Sequence, residues 1–213
     1  MGGGGKQGRF LTFEACMTRS LKHIAVTGLA LLVLLAGCAA PPSRLAFPEI
    51  RFTQEPKLRL DVAAIDLQDD YHPTFHEPNV EHLFPVPPAR AAENWVHDRL
   101  VAAGTTRRAR VRITKASVIE VELPRTQGIT GAFTTDQAQR YDAALEMSVD
   151  ILSDRGFPER TASAQVARSQ SVPEGITPNA REQVWYDMTK AMMIQIDQEL
   201  ETQMRAFFGS AIQ

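Results

Sequence analysis

Three histidines, His72, His76 and His82, share one short stretch with the carboxylates Asp69, Asp70, Glu77 and Glu81. Neutral imidazole with carboxylate is a donor set that Zn²⁺ takes when thiolates are absent. His72 and His76 stand four apart, a spacing that chelates on a helical turn. Pro73 and Pro78 oppose a helix there, and no second matched pair fixes a geometry. A polar surface loop is therefore the favoured reading, with a metal site, metal-dependent enzyme or metal carrier as one alternative and a pH-sensitive contact as another. No metal or other cofactor is expected.

A second cluster is Arg107, Arg108, Arg110 and Arg112. Guanidinium groups grip phosphate-bearing headgroups or an acidic partner bidentately, and strand alternation puts Arg110 and Arg112 on one face. The competing reading is a charged surface guarding a sheet edge. Met188, Met192, Met193 and Met204 fit a core, or an adaptable partner groove. Met193 and Ile194 fall off the main apolar stripe of their segment, which hints at a protein contact, as does Trp185. Neither a G-x-S-x-G elbow nor a phosphate-binding glycine loop occurs, and Gly128-Ile129-Thr130-Gly131 is explained by turn geometry. No catalytic residue is expected, and the chain reads as a non-enzyme.

Cys38 offers different chemistry. Arg19, Lys22 and His23 precede a mostly apolar run at 24–35, and small Ala36 and Gly37 lead into the cysteine, the layout of a secretory signal. Those twelve residues as helix cover about 18 Å, whereas a bilayer core needs about 30 Å, so the run is too short for a permanent span. Leu35-Ala36-Gly37-Cys38 resembles the lipobox of bacterial lipoprotein precursors. The resemblance implies a diacylglyceryl thioether on Cys38, cleavage before it and acylation of the new amine, with palmitate-like chains holding the product stably on a membrane. Ala39, where an Asp favours inner-membrane retention in that family, resembles cargo sent to the outer membrane. The expected location is the periplasmic face of the outer membrane.

Residues 1–16 fit this signal poorly and Met17 is the expected start. That leaves 17–37 as signal peptide, 38–56 as acylated cysteine and proline-rich tether, and 57–213 as one periplasmic domain. Cleavage removes Lys6, Arg9, Arg19, Lys22 and Glu14 from a chain with 23 basic and 25 acidic residues, leaving 19 against 24, a net of −5. Nucleic acid binding is disfavoured by that balance. Cys16 lies before the cut, so no disulfide is expected in the mature chain.

The elements that must position these groups can be read from periodicity. Pro41, Pro42, Pro48 and Pro56 bar regular structure, with Phe47, Ile50 and Phe52 able to dock part of the tether. Leu58, Leu60, Val62 and Ala64 alternate into a first strand reaching Leu67. Residues 69–88 form a long proline-rich loop. Ala92, Trp95, Val96, Leu100 and Ala103 predict a four-turn helix stopped by Gly104. Val111 to Leu123 reads as a long strand with a bulge near Lys115 and Ser117. Tyr141 through Ile151 and Ala162 through Val166 predict a hairpin about Asp154-Arg155-Gly156. Thr177 caps a last helix with Pro178 first and Gly209 as stop. The order strand-helix-strand-strand-strand-helix predicts an α+β two-layer sandwich, a mostly antiparallel four-stranded sheet with both helices on one face.

That order, on a lipobox and a tether, resembles the ABC-transporter auxiliary, YajG-like and lipopolysaccharide-assembly lipoproteins. Only Cys38 carries over as a functional residue. The resemblance implies an accessory or scaffold lipoprotein of an envelope transport or assembly complex, with the membrane and an envelope protein as partners. A lipid or glycolipid binder with the arginines at its mouth is the alternative.

Overall fold

A computed structural model describes residues 45–124 and 137–212, together with Gly2. Residues 45–124 and 137–212 belong to a unit that spans Leu45–Gln213. Its elements in chain order are β1 (Leu58–Leu60), β2 (Ala64–Asp69), α1 (Pro88–Arg99), β3 (Leu100–Ala102), β4 (Arg108–Glu122), β5 (Gln137–Leu152), β6 (Pro158–Pro173) and α2 (Pro178–Phe207). A 3-10 turn at Glu81–Leu83 lies within the long loop.

Alternation of apolar and polar residues makes β5 and β6 the longest strands, and they pair antiparallel in regular register from Tyr141↔Gln170 to Ile151↔Arg160. β4 pairs antiparallel with β5, and its register shifts between Ile113 and Lys115. That bulge changes which parity faces inward: Val111 and Ile113 are buried before it, Ala116 and Val118 after it. Ile119 is consequently turned to solvent. β2 adds to the other edge of β4 in parallel, giving the order β2-β4-β5-β6. This is the expected α+β arrangement of two helices and a mostly antiparallel four-stranded sheet.

α2 begins as expected, with Pro178 in its first turn and the Thr177 Oγ1 accepting from the Ala180 N–H at 3.3 Å. Gly209 beyond its end takes φ of 53°, a left-handed value suited to glycine. Met188, Met192, Ile196, Leu200 and Met204 are buried along one stripe. Met193 and Trp185, expected on a partner-facing side, are buried too, Trp185 because it lies between Phe84 of the long loop and Tyr141 of β5. Ile194 remains exposed.

Two local expectations are corrected. The predicted first strand is two strands in different sheets: β1 pairs in parallel with β3, Leu58 opposite Leu100, while β2 joins the main sheet. The predicted four-turn helix ends at Arg99, and Leu100 to Ala102 are extended because β1 supplies a partner for them. Gly104 therefore does not stop a helix. Its N–H donates to the Val62 carbonyl at 3.0 Å, and a Cβ there would lie 2.6 Å from the Asp61 carbonyl carbon and 2.7 Å from the Val62 nitrogen. The obstruction is backbone and cannot swing aside. Gly104→Ala is expected to cost about 1–3 kcal/mol, the range for overpacking, read as a lower urea midpoint at unchanged slope.

Candidate functional site

Cys38 lies outside the described residues, as do residues 128–131, so the site is built from the segment C-terminal to the cysteine, beginning at Leu45. Residues 45–57 form a strap without regular structure, held to α1 and α2 by side chains. The Phe47 ring lies 5.2 Å from that of Tyr186. Glu49 pairs with Arg90 at 2.8 Å and accepts from Asn94 Nδ2 at 3.0 Å. Ile50 and Phe52 are buried.

Asp98 near the end of α1 is the hub of the strap. Arg51 Nη2 donates to its Oδ1 at 2.6 Å and Arg51 Nε to its Oδ2 at 2.7 Å, a bidentate fork. The Phe52 N–H donates to Oδ2 at 2.9 Å, and Lys57 Nζ donates to the Asp98 main-chain carbonyl. The hydrogen bonds from Arg51 hold the Asp98 carboxyl below the usual carboxylate range; burial opposes them, and the Phe52 N–H helps. One residue on, the buried Arg99 guanidinium donates to Asp197 at 2.6 Å, to Glu201 and to the Pro56 carbonyl. Trp95 Nε1 also donates to Asp197, at 2.7 Å.

A depressed folded pKa means that the unfolded chain binds the proton more readily. The Asp98 contribution is complete above the unfolded value near pH 4 and is lost as pH falls through the lower folded value. Asp98→Asn removes that pH dependence and weakens the strap. With charged hydrogen bonds worth about 1.5–3 kcal/mol, tryptic cutting after Arg51 and Lys57 through local opening is expected to quicken roughly tenfold or more. Rates indistinguishable from the parent would contradict the hub role.

The histidines are not brought together as ligands. His72 and His76 are exposed, and the His82 ring meets Phe75 edge-on with centroids 5.5 Å apart. Among the described residues no group of three or more His, Cys, Asp or Glu side chains is placed to hold a metal. Glu81 works structurally: its buried carboxylate accepts the Tyr71 hydroxyl at 2.7 Å and the Val118 N–H at 3.2 Å. Burial, reinforced by Glu81, pushes the Tyr71 phenol above its ordinary range. The Val80 N–H donates to Val118 and the Glu120 N–H to Pro78, so the long loop is laced to β4.

The arginines are each matched to a carboxylate. Arg107 meets Asp61 at 2.8 Å and Arg108 meets Asp66 at 2.5 Å. Arg110 and Arg112 project from one face, as alternation predicts, and share the buried Asp150 at 3.1 and 3.6 Å. Asp150 also accepts the Thr161 hydroxyl at 2.7 Å. An open groove of about 510 Å³ between β6 and α2 is bordered by Arg168, Ser169, Val184, Asp187 and Met188, and another, of about 450 Å³, is lined by Arg112, Glu146 and Gln203.

Sequence reasoning missed Asp98, Arg51 and the Arg99 cluster. One signal was present: Arg99 follows Trp95 by four and Ala92 by seven, so a charge stands on the dry stripe of α1. Among the described residues no helix is long and apolar enough to cross a membrane.

No family model matches the chain, and no curated protein matches it. Among solved structures it is similar to rare lipoprotein B from Shewanella oneidensis, at 14% identity over 65% of this chain and 94% of that one, with a TM-score of 0.36. It is also similar to protein XCC0632 from Xanthomonas campestris, a DUF330 protein, at 12% identity over 70% and 92% of the two chains, with a TM-score of 0.25.

Proposed function

We propose that this chain is a bacterial lipoprotein acylated at Cys38, whose folded unit serves as a non-enzymatic accessory or scaffold of an envelope transport or assembly complex at the periplasmic face of the outer membrane. The observation that carries the reading is Leu35-Ala36-Gly37-Cys38, closing an apolar run too short to span a bilayer. The structure adds support a few residues later, where the strap from Phe47 to Lys57 is pinned by Asp98 and Arg99. A fold held this way to its own leader stays close to whatever holds the cysteine.

In cells given labelled palmitate, the parent chain is expected to take up label and fractionate with outer membranes. Cys38→Ser is expected to lose both. Unlabelled parent protein, or a Cys38→Ser variant that still sediments with membranes, would refute the anchor. Mild-detergent purification from native envelopes is expected to bring a partner protein; repeated recovery as a lone monomer would refute the scaffold role.

A further inference from the structure

The strap, the long loop and one end of the β5–β6 hairpin meet at a single level of the fold. Phe47 packs on Tyr186, Phe84 stacks on Trp185 at 5.0 Å, and Trp185 meets Tyr141 of β5 edge-on at 5.5 Å. β4 is joined to the loop at the same level: Glu120 is opposite Tyr141, and the Glu120 N–H donates to Pro78. At this end three large apolar side chains face water, Phe75 at 62%, Leu83 at 54% and Leu45 at 47% exposure. Their setting is firm. The loop is tied to β4 through Asn79↔Ile119, Val80 and Glu81, and Phe75 holds φ of 58°, a left-handed value uncommon for a bulky residue.

We infer that the loop presenting Phe75 and Leu83, together with Leu45, rests on the lipid surface that holds Cys38. This inference builds on the proposed acylation. Nine peptide steps separate Cys38 from Phe47, a reach of at most roughly 32 Å. From Tyr141 to Leu152 there are eleven strand steps, about 36 Å, and the turn bearing Phe157 lies further on. The first described residues of the strap thus lie at the Phe75 end of the fold, and the exposed Phe157 lies past the far end of β5. Aromatic and aliphatic side chains settle at the headgroup boundary in proportion to the apolar area they bury. Tethering turns that contact into an intramolecular one, so side chains too few to bind vesicles alone suffice once the chain is anchored.

The test uses the acylated full chain in phosphatidylcholine vesicles, with an environment-sensitive fluorophore on Phe75→Cys, Leu83→Cys or Phe157→Cys. All three positions are exposed, and the acylated Cys38 sulfur does not take label. Nitroxide-bearing lipid is expected to quench the probe at 75 and 83, with a blue shift on reconstitution, and to leave the probe at 157 at its aqueous intensity. Protein that sediments with vesicles but shows no quenching at 75, or equal quenching at 75 and 157, overturns the inference while leaving the anchor standing. A blue shift at 75 that appears only on adding envelope proteins overturns it in favour of a protein contact. Failure of the acylated chain to sediment removes both readings.

Discussion

Arg99→Ala is expected to lower the unfolding free energy by about 3–5 kcal/mol, the cost of removing one partner from a buried ion pair. The guanidinium is 1% exposed, and Asp197 beside it is 13% exposed. After truncation Asp197 keeps the Trp95 indole N–H as a donor, and the Pro56 carbonyl loses the bond that Arg99 supplies. One change thus removes the Arg99 ties to α2 and to the strap and leaves the Trp95–Asp197 bond between the two helices. Because the penalty is mostly the stranded carboxylate, Arg99→Ala/Asp197→Ala is expected to cost less than the two single changes added together. Urea unfolding of the three variants gives the coupling directly. A loss under about 1 kcal/mol for Arg99→Ala would place the cluster with exposed ion pairs of little consequence.

Trp185→Ala is expected to cost a similar amount, about 3–5 kcal/mol for a large aromatic removed from a core. Trp185 is sandwiched: Phe84 lies nearly parallel to it, at 10° between rings, and Tyr141 stands at 85°. Such pairs add about 0.5–1.5 kcal/mol beyond the area they bury. The substitution also takes away the platform on which the long loop closes over α2. Trp185→Phe keeps a ring between Phe84 and Tyr141 and is expected to recover much of the loss. With two tryptophans in the chain, either variant leaves Trp95 as the single indole reporter, so unfolding is followed by far-ultraviolet circular dichroism. Equal stability of the parent and Trp185→Ala would mean that the loop, not α2, anchors this corner.

These two residues show what periodicity reveals and where it stops. α2, the β5–β6 hairpin and the bulge in β4 were legible because each repeats a local pattern over many residues, and a slip in parity at Lys115 is visible without any partner. β3 and the break between β1 and β2 were not: three residues carry no period, and Leu58 to Leu60, read as the start of one long strand, pairs with Leu100 to Ala102 outside the main sheet. Trp185 looked displaced from its stripe because a helix wheel assumes one dry side, whereas Phe84 and Tyr141 enclose this ring as well. The arginines were visible as charges. Their mates Asp61, Asp66 and Asp150 come from other elements, so pairing was invisible along the chain. Asp98 carried no sequence signal, its role depending on where the strap folds back.

The strap is fastened by side chains and no β-ladder runs along it. A pull applied to the N-terminal end of the strap would therefore meet a series of separate catches, first the Phe47 ring, then Glu49, then the fork on Asp98. Only after Lys57 yields does the pull reach β1, where main-chain bonds to β3 take it in shear. A pull on this end would thus lengthen the chain by peeling the strap before it loads the sheet.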